Sequence, residues 1–235
     1  MTSLKDRHIT KLPYTLYCAI TFLILGLTVL AINSLLPSLR RRRRVAGAIA
    51  RAFLRLAAIP LSIEGRESLP QAPCVVVANH ASYIDGVVAM AALPPDFSFV
   101  IKKEMVSVPL AGFLLTRLGS EFVERFDRHK GAADARRVLR LASTGQSLVF
   151  FPEGTFSAAP EINKFLGGAF TIAARSSMPV VAVAIHGTRE VLPPDSPYIF
   201  RRPIRFQILG AVPPEGARER SRQLISQAVG EPLAT

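Results

Sequence analysis

Hydrophobic positions along this chain follow three different patterns. The first is a near-continuous apolar run: no charged residue occurs between Lys11 and Arg40, and residues 14–32 are mostly Leu, Ile, Ala, Thr and Phe. As a helix rising ~1.5 Å per residue, this run reaches ~28 Å, against a bilayer hydrocarbon thickness of ~30 Å. A retained membrane anchor is expected. A cleaved leader fits less well, because Pro37 and the arginines at 40–44 follow the run in place of a small-residue cleavage site.

The second pattern is amphipathic. Residues 45–59 are Ala-rich with Leu and Phe, while Arg44, Arg51 and Arg55 recur at spacings of seven and four. On a helix those arginines share one stripe of an otherwise apolar circumference. Pro60 ends the helix. Beside the apolar run and the arginine block at 40–44, it is read as lying among lipid headgroups, behind a spanning helix or as the second arm of a shallow hairpin. Residues 1–60 are therefore expected to be a membrane anchor and residues 61–235 a catalytic domain.

The third pattern begins at Leu61, where short β-rich runs alternate with helical ones. Residues 74–78, 97–101, 121–123, 148–151, 180–185 and 204–209 read as strands, and several are uniformly apolar, as for strands covered on both faces. Residues 84–92, 110–118, 130–143 and 164–176 read as helices, and the last fifteen or so as a helix with a tail. Clustered Pro and Gly at 94–95, 193–194 and 213–216 read as turns. The expected fold class is α/β: a mixed, mostly parallel sheet flanked by helices, with an N-terminal membrane-anchoring helix or helical pair.

Composition sharpens this. The chain is 49% hydrophobic and 20% charged, with a net charge of +12, so its partner should be anionic and apolar at once. Membrane lipids meet both demands. Nucleic acid is not expected as a partner: it leaves the apolar run unexplained, Trp is absent and only four Tyr are present for base stacking. Lys5, Arg7 and Lys11 precede the run, and the larger group of arginines follows it. The positive-inside bias then places the catalytic domain on the cytoplasmic face of the cytoplasmic (inner) membrane. Cys18 and Cys74 lie in apolar runs and read as buried thiols. No cluster of His, Cys and carboxylates has ligand spacing, so no metal is expected.

Candidate chemistry concentrates where strands end, since ligands in an open α/β sheet gather at the carboxyl ends of its strands. The run 74–78 leads directly into Asn79-His80-Ala81-Ser82-Tyr83-Ile84-Asp85. On one regular helix, residues five apart point ~140° away from each other, so His80 must precede the helix that Asp85 enters. With Ser82 or Asn79 capping, the imidazole can fold back onto a carboxylate favoured by the helix N-terminus. Such a pair is a general base suited to an alcohol. The plainer alternative has His80 bonding a loop and Asp85 merely capping a helix. A second strand, 148–151, delivers Pro152-Glu153-Gly154-Thr155-Phe156 to the same sheet edge.

Taken together, Asn79-His80-x-Ser82-x-x-Asp85 and, some seventy residues on, Phe151-Pro152-Glu153-Gly154-Thr155 resemble the glycerolipid acyltransferase superfamily, specifically its bacterial 1-acyl-glycerol-3-phosphate acyltransferase type. Phe122-Val123-Glu124-Arg125 and the proline-containing run 178–185 are similar to two further blocks of that family. The resemblance covers about residues 61–210. It implies direct transfer of an acyl chain from acyl-CoA or acyl carrier protein, as co-substrate, to a lyso-lipid hydroxyl, with no cofactor. His80 and Asp85 are the implied catalytic residues. Asn79, Ser82, Arg125, Glu153, Gly154 and Thr155 are implied to bind substrate, Arg125 through a phosphate.

One departure matters. Phe156 stands where the family commonly has Arg, which removes a cation suited to phosphate. Arg125, Arg175, Arg189 or Lys164 are candidate replacements, and a lyso-ornithine lipid, lacking a phosphomonoester, is the alternative acceptor. More remote alternatives are an acyl ester or thioester hydrolase, for which no Gly-x-Ser-x-Gly elbow is present, and a non-catalytic lipid-binding protein. His186, at the end of a strand on the same edge, is a minor candidate.

Overall fold

The computed structural model describes residues 11–124 and 128–234. In chain order its elements are α1 (Leu12–Leu35), α2 (Leu39–Leu56), β1 (Leu61–Glu64), β2 (Val75–Ala78), α3 (Asp85–Ala92), β3 (Phe97–Lys102) and α4 (Ala111–Arg117). Then follow β4 (Glu121–Val123), α5 (Arg128–Ser143), β5 (Ser147–Phe150), α6 (Gly168–Arg175), β6 (Val180–His186), α7 (Thr188–Val191), β7 (Ile204–Val212) and α8 (Ala217–Val229). One seven-stranded sheet runs in the order β1-β7-β6-β2-β5-β3-β4. Every strand pair is parallel except β6 with β7, so the sheet is mixed and mostly parallel, as expected.

Alternation along the central strands assigns the two faces. Val76, Ala78 and Val149 join Phe53 and Leu54 of α2 and Val88 of α3 in one buried cluster. Val75, Val77, Leu148 and Phe150 join Val138 of α5, Ile172 of α6 and Ile225 of α8 in the other. Cys74 is a buried free thiol, pushed up to about 11 by burial.

Besides the short α7, absent from the expected helices, β1 and the start of α6 differ from expectation. β1 was not anticipated, because Leu61-Ser62-Ile63-Glu64 alternates between half-buried and exposed positions beside β7 and lacks a continuous apolar run. The helix expected over 164–176 starts only at Gly168, since the preceding chain is held extended by bonds from the Asn163 and Leu166 amides to Glu153 and Pro152.

The N-terminal pair is more integrated than the pattern suggested. α2 starts at Leu39, so the arginine block is helical, with Arg40, Arg41 and Arg44 exposed. Arg40 pairs with Asp96 at 2.9 Å, and Arg42 bonds the Leu36 carbonyl at 2.6 Å. Arg43 is buried: its Nε donates to Leu118 O at 2.8 Å, Nη1 to Gln146 at 3.2 Å, and Nη2 to Gly119 O at 3.3 Å and to the Ser98 hydroxyl. Arg43 thus caps the C-terminal end of α4, where free carbonyls favour a cation. The apolar face of α2 packs on the domain, and Arg51 donates to Ala91 O at the end of α3 (2.8 Å). Arg44 and Arg55 of α2 face outward.

α1 folds back on α2 and is held at both ends. Near its start, Tyr14 and Tyr17 donate to Ala57 O and Leu56 O at 2.7 and 3.0 Å, and Thr15 accepts from the Ile199 amide at 3.1 Å. Near its end, Arg117 donates to Asn33 O and Ser34 O at 2.8 and 3.1 Å. Between these clamps Leu16, Ile20, Leu23, Ile24 and Leu27 are exposed. The chain therefore carries a long apolar helix laid along the domain.

Replacing Arg43 with Met keeps the aliphatic stem but strands the Leu118 and Gly119 carbonyls and the Ser98 hydroxyl. Urea unfolding of R43M is expected to show a loss of about 2 to 4 kcal/mol, whereas R44M, at an exposed position, should change stability by less than about 0.5 kcal/mol.

Candidate active site

The sheet register builds the site. β2 and β5 are parallel neighbours in which Val77 pairs with Phe150. Three residues beyond those partners lie His80 and Glu153, so the two motif segments leave the sheet side by side. The His80 amide donates to Glu153 Oε1 at 2.7 Å, and the Asn163 amide donates to Oε2 at 2.8 Å. Glu153 is 7% exposed, and burial holds its carboxyl above the usual carboxylate range, opposed by these two amides. Gly154 turns the chain immediately afterwards with a φ of +78°, a conformation that glycine adopts without Cβ strain.

Asp85 is the first residue of α3 and is fully buried. Its Oδ2 accepts from the amides of Ala81 and Ser82 at 2.7 and 2.8 Å and lies 2.8 Å from His80 Nδ1. The carboxylate therefore gathers the turn that precedes its own helix, which is how two residues five apart come into contact. An acceptor-only group facing Nδ1 places the ring proton there, leaving Nε2 with its lone pair. The imidazole stacks on Phe151 with centroids 4.7 Å apart and meets Phe156 edgewise at 4.6 Å. Phe156 in turn meets Tyr83 at 4.8 Å.

From His80 a cavity of about 440 Å³ runs between the N-terminal helices and the sheet. Its walls are largely apolar and include Phe22 and Val29 of α1, Ile49 and Phe53 of α2, Met90 of α3 and Leu114 of α4. His80, Tyr83, Gly154, Thr155 and Phe156 line the part near the imidazole, and Lys102 is the lining cation among the described residues. A neutral imidazole beside a long apolar cavity can deprotonate a hydroxyl attached to a hydrocarbon chain.

The candidate residues separate into two groups. His80 and Asp85 meet, and Gly154 and Thr155 line the cavity. Asn79, Ser82 and Glu153, expected to bind substrate, each make hydrogen bonds within the protein. The Asn79 amide pairs with both peptide groups of Ile185 at 2.8 and 2.9 Å, continuing the β2–β6 ladder with a side chain. The Ser82 hydroxyl donates to Leu192 O at 2.7 Å, and both Glu153 oxygens are engaged as above. All three are buried, because a motif at strand ends must first hold its own loops together. Arg125 lies outside the described residues.

Of the other cations, Arg189 is tied to Glu231 at 3.4 Å and to Ser157 O at 2.5 Å, and neither it, Arg175 nor Lys164 lines the cavity. His186 faces Gln207 and Arg205 at 3.3 and 3.2 Å, away from the cavity, and burial lowers its pKa. Sequence reasoning missed Lys102, Tyr83 and the contribution of α1 and α2 to the cavity. Only the α1–α2 hairpin geometry brings those helices to the site, and no local pattern encodes it.

The family model described as Acyltransferase matches residues 60–186. Among curated proteins, the chain is 33% identical over 162 residues to a chloroplastic 1-acyl-sn-glycerol-3-phosphate acyltransferase of Brassica napus, covering 67% of this chain and 47% of that one. It is likewise 33% identical over 141 residues to a lyso-ornithine lipid O-acyltransferase of Pseudomonas aeruginosa, covering 58% and 52%. The match thus spans about half the length of these relatives. The fold is similar to that of the crystallised 1-acyl-sn-glycerophosphate acyltransferase PlsC from Thermotoga maritima, with a TM-score of 0.79 at 22% identity over 95% of this chain and 96% of that one.

Truncating Glu153 to Ala strands two part-buried backbone donors. Chemical denaturation of E153A should show a loss of about 2 to 4 kcal/mol, and amide exchange should accelerate at His80 and Asn163 before it does along β2.

Proposed function

The chain belongs to the acyltransferase family, and on that footing we propose that it transfers a fatty acyl chain from acyl-CoA or acyl carrier protein to the hydroxyl of a lyso-lipid. The observation that carries this reading is the Asp85-held imidazole opening onto an apolar cavity. His80 Nε2 takes the hydroxyl proton as the oxygen attacks the thioester carbonyl. The C–O bond forms, the C–S bond breaks, and the imidazolium returns its proton to the departing thiolate. Asp85 orients the ring and stabilises its transient positive charge. The cavity takes an acyl chain, while Gly154 and Thr155 contact the reacting end.

The acceptor is 1-acyl-glycerol-3-phosphate or a related lyso-lipid, with Arg125 and Lys102 as the cations for its phosphate. A second reading, lyso-ornithine lipid as acceptor, rests on Phe156, which puts an aromatic ring against His80 where the resembled family commonly carries Arg. The Pseudomonas relative carries that activity in its name.

The membrane reading is monotopic. Because α1 is bonded to the domain at both ends, the helix lies in the plane of one leaflet rather than crossing, with the domain at the cytoplasmic face of the inner membrane. This supports treating α1 and α2 as part of the catalytic unit, with α1 its lipid-facing edge.

Purified protein assayed in detergent against a panel of lyso-lipids tests the chemistry. H80A should lower transfer by about 10² to 10⁴-fold with vesicle binding unchanged, and acyl release without an acceptor should stay negligible. Wild-type transfer that survives in H80A would refute the base assignment. F156R should raise kcat/KM for lysophosphatidic acid relative to lyso-ornithine lipid by about tenfold or more.

A further inference from the structure

The segment joining β3 to α4, together with the start of α4, shows apolar side chains on both of its sides. Met105, Ala111, Leu114 and Leu115 face inward and line the cavity. Val106, Val108, Leu110 and Phe113, interleaved with them, are 50%, 41%, 54% and 53% exposed. Nothing in the domain covers this outward set among the described residues.

The backbone spends free energy on the arrangement. Leu110 has φ +61° and ψ −48°, a conformation disfavoured for a residue that carries a side chain. Gly112 permits α4 to start hard against the preceding turn: a Cβ there would stand 2.1 Å from Val106 O. The segment is therefore held in a fixed shape with its hydrophobic side outward, which is not the behaviour of a loop that merely tolerates exposed leucine.

Two features say what covers it. The outward set adjoins α1, whose Phe22 and Val29 share the cavity wall with Ala111 and Leu114, and whose Asn33 and Ser34 carbonyls are bonded by Arg117 at the end of α4. An exposed apolar set on α4 and the turn before it therefore neighbours the helix with the exposed apolar set Leu16, Ile20, Leu23, Ile24 and Leu27. Lys102 and Lys103, both exposed, stand at its head, as suits an element that enters hydrocarbon beneath anionic headgroups.

We propose that Val106, Val108, Leu110 and Phe113 insert into the bilayer beside α1 as a second, independent membrane contact. The segment is then a wall with hydrocarbon on one side and the acyl cavity on the other, and the gap between it and α1 is the route by which a lipid chain passes laterally from leaflet to cavity. The insertion stands on the surface alone. The route rests on the acyl-transfer reading.

The absence of Trp from the chain makes the test direct. Full-length F113W, L23W on α1 and L224W, exposed on α8 in the opposite helix layer, are each mixed with vesicles of phosphatidylcholine and phosphatidylglycerol. Some vesicles carry acyl chains brominated near the glycerol end. F113W and L23W should shift to the blue and be quenched, and L224W should do neither. Quenching of L23W without F113W, or of neither, overturns the proposal. So does a blue shift of F113W that appears without lipid and grows with protein concentration, which would mark a second copy of the chain as the occupant. The paired substitution V106D/F113D should lower the vesicle partition coefficient by about tenfold or more while leaving transfer to a micellar substrate within about twofold. That last measurement separates failure of insertion from failure of the chemistry.

Discussion

A single carboxylate oxygen organises the reactive end of this molecule. Asp85 Oδ2 receives two peptide amides and the imidazole, all within 2.8 Å, in a place sealed from water. Hydrogen bonds to a charged acceptor are about twice as strong as neutral ones. The three together hold the turn between β2 and α3 in a shape that neither element enforces alone. Because the imidazole is one of the three donors, the same interaction that closes the turn also sets its tautomer. Position and protonation of the base are one structural event.

Glu153 repeats this logic between strands. Its two oxygens bind the amides of His80 and Asn163, so the loop after β2, the loop after β5 and the segment leading to α6 are joined by one buried side chain. A carboxylate kept in such surroundings, with its pKa raised by burial, indicates that the amides it satisfies would be costlier left alone.

Much of this was legible in the sequence, for definite reasons. Uniformly apolar runs such as 180–185 announce doubly covered strands, and a motif at two such strand ends must fall on one edge of the sheet. The spacing allowed a contact of His80 with Asp85, since five residues on a helix forbid it and a turn before the helix permits it, but left open the alternative of a loop-bonded His80 and a capping Asp85. The hydrogen-bond partners of Asn79, Ser82 and Glu153 were not legible, because a polar residue in a motif looks the same whether it faces a ligand or a peptide group 106 residues away, as Asn79 faces Ile185. The place of Arg43 was hidden for a related reason. Charge in a row suggests solvent or headgroups, yet helical geometry turns one member in five inward, and Arg43 found carbonyls to bind.

The bonds that fasten α1 join parts of the chain made far apart in time. Thr15 waits for Ile199, 184 residues later, and Asn33 and Ser34 wait for Arg117. Until the sheet exists, the most hydrophobic helix has no protein surface to rest on, and closure over so long a separation is slow. On the membrane reading proposed above, a leaflet present during synthesis would give that helix an apolar surface to rest on before the sheet exists.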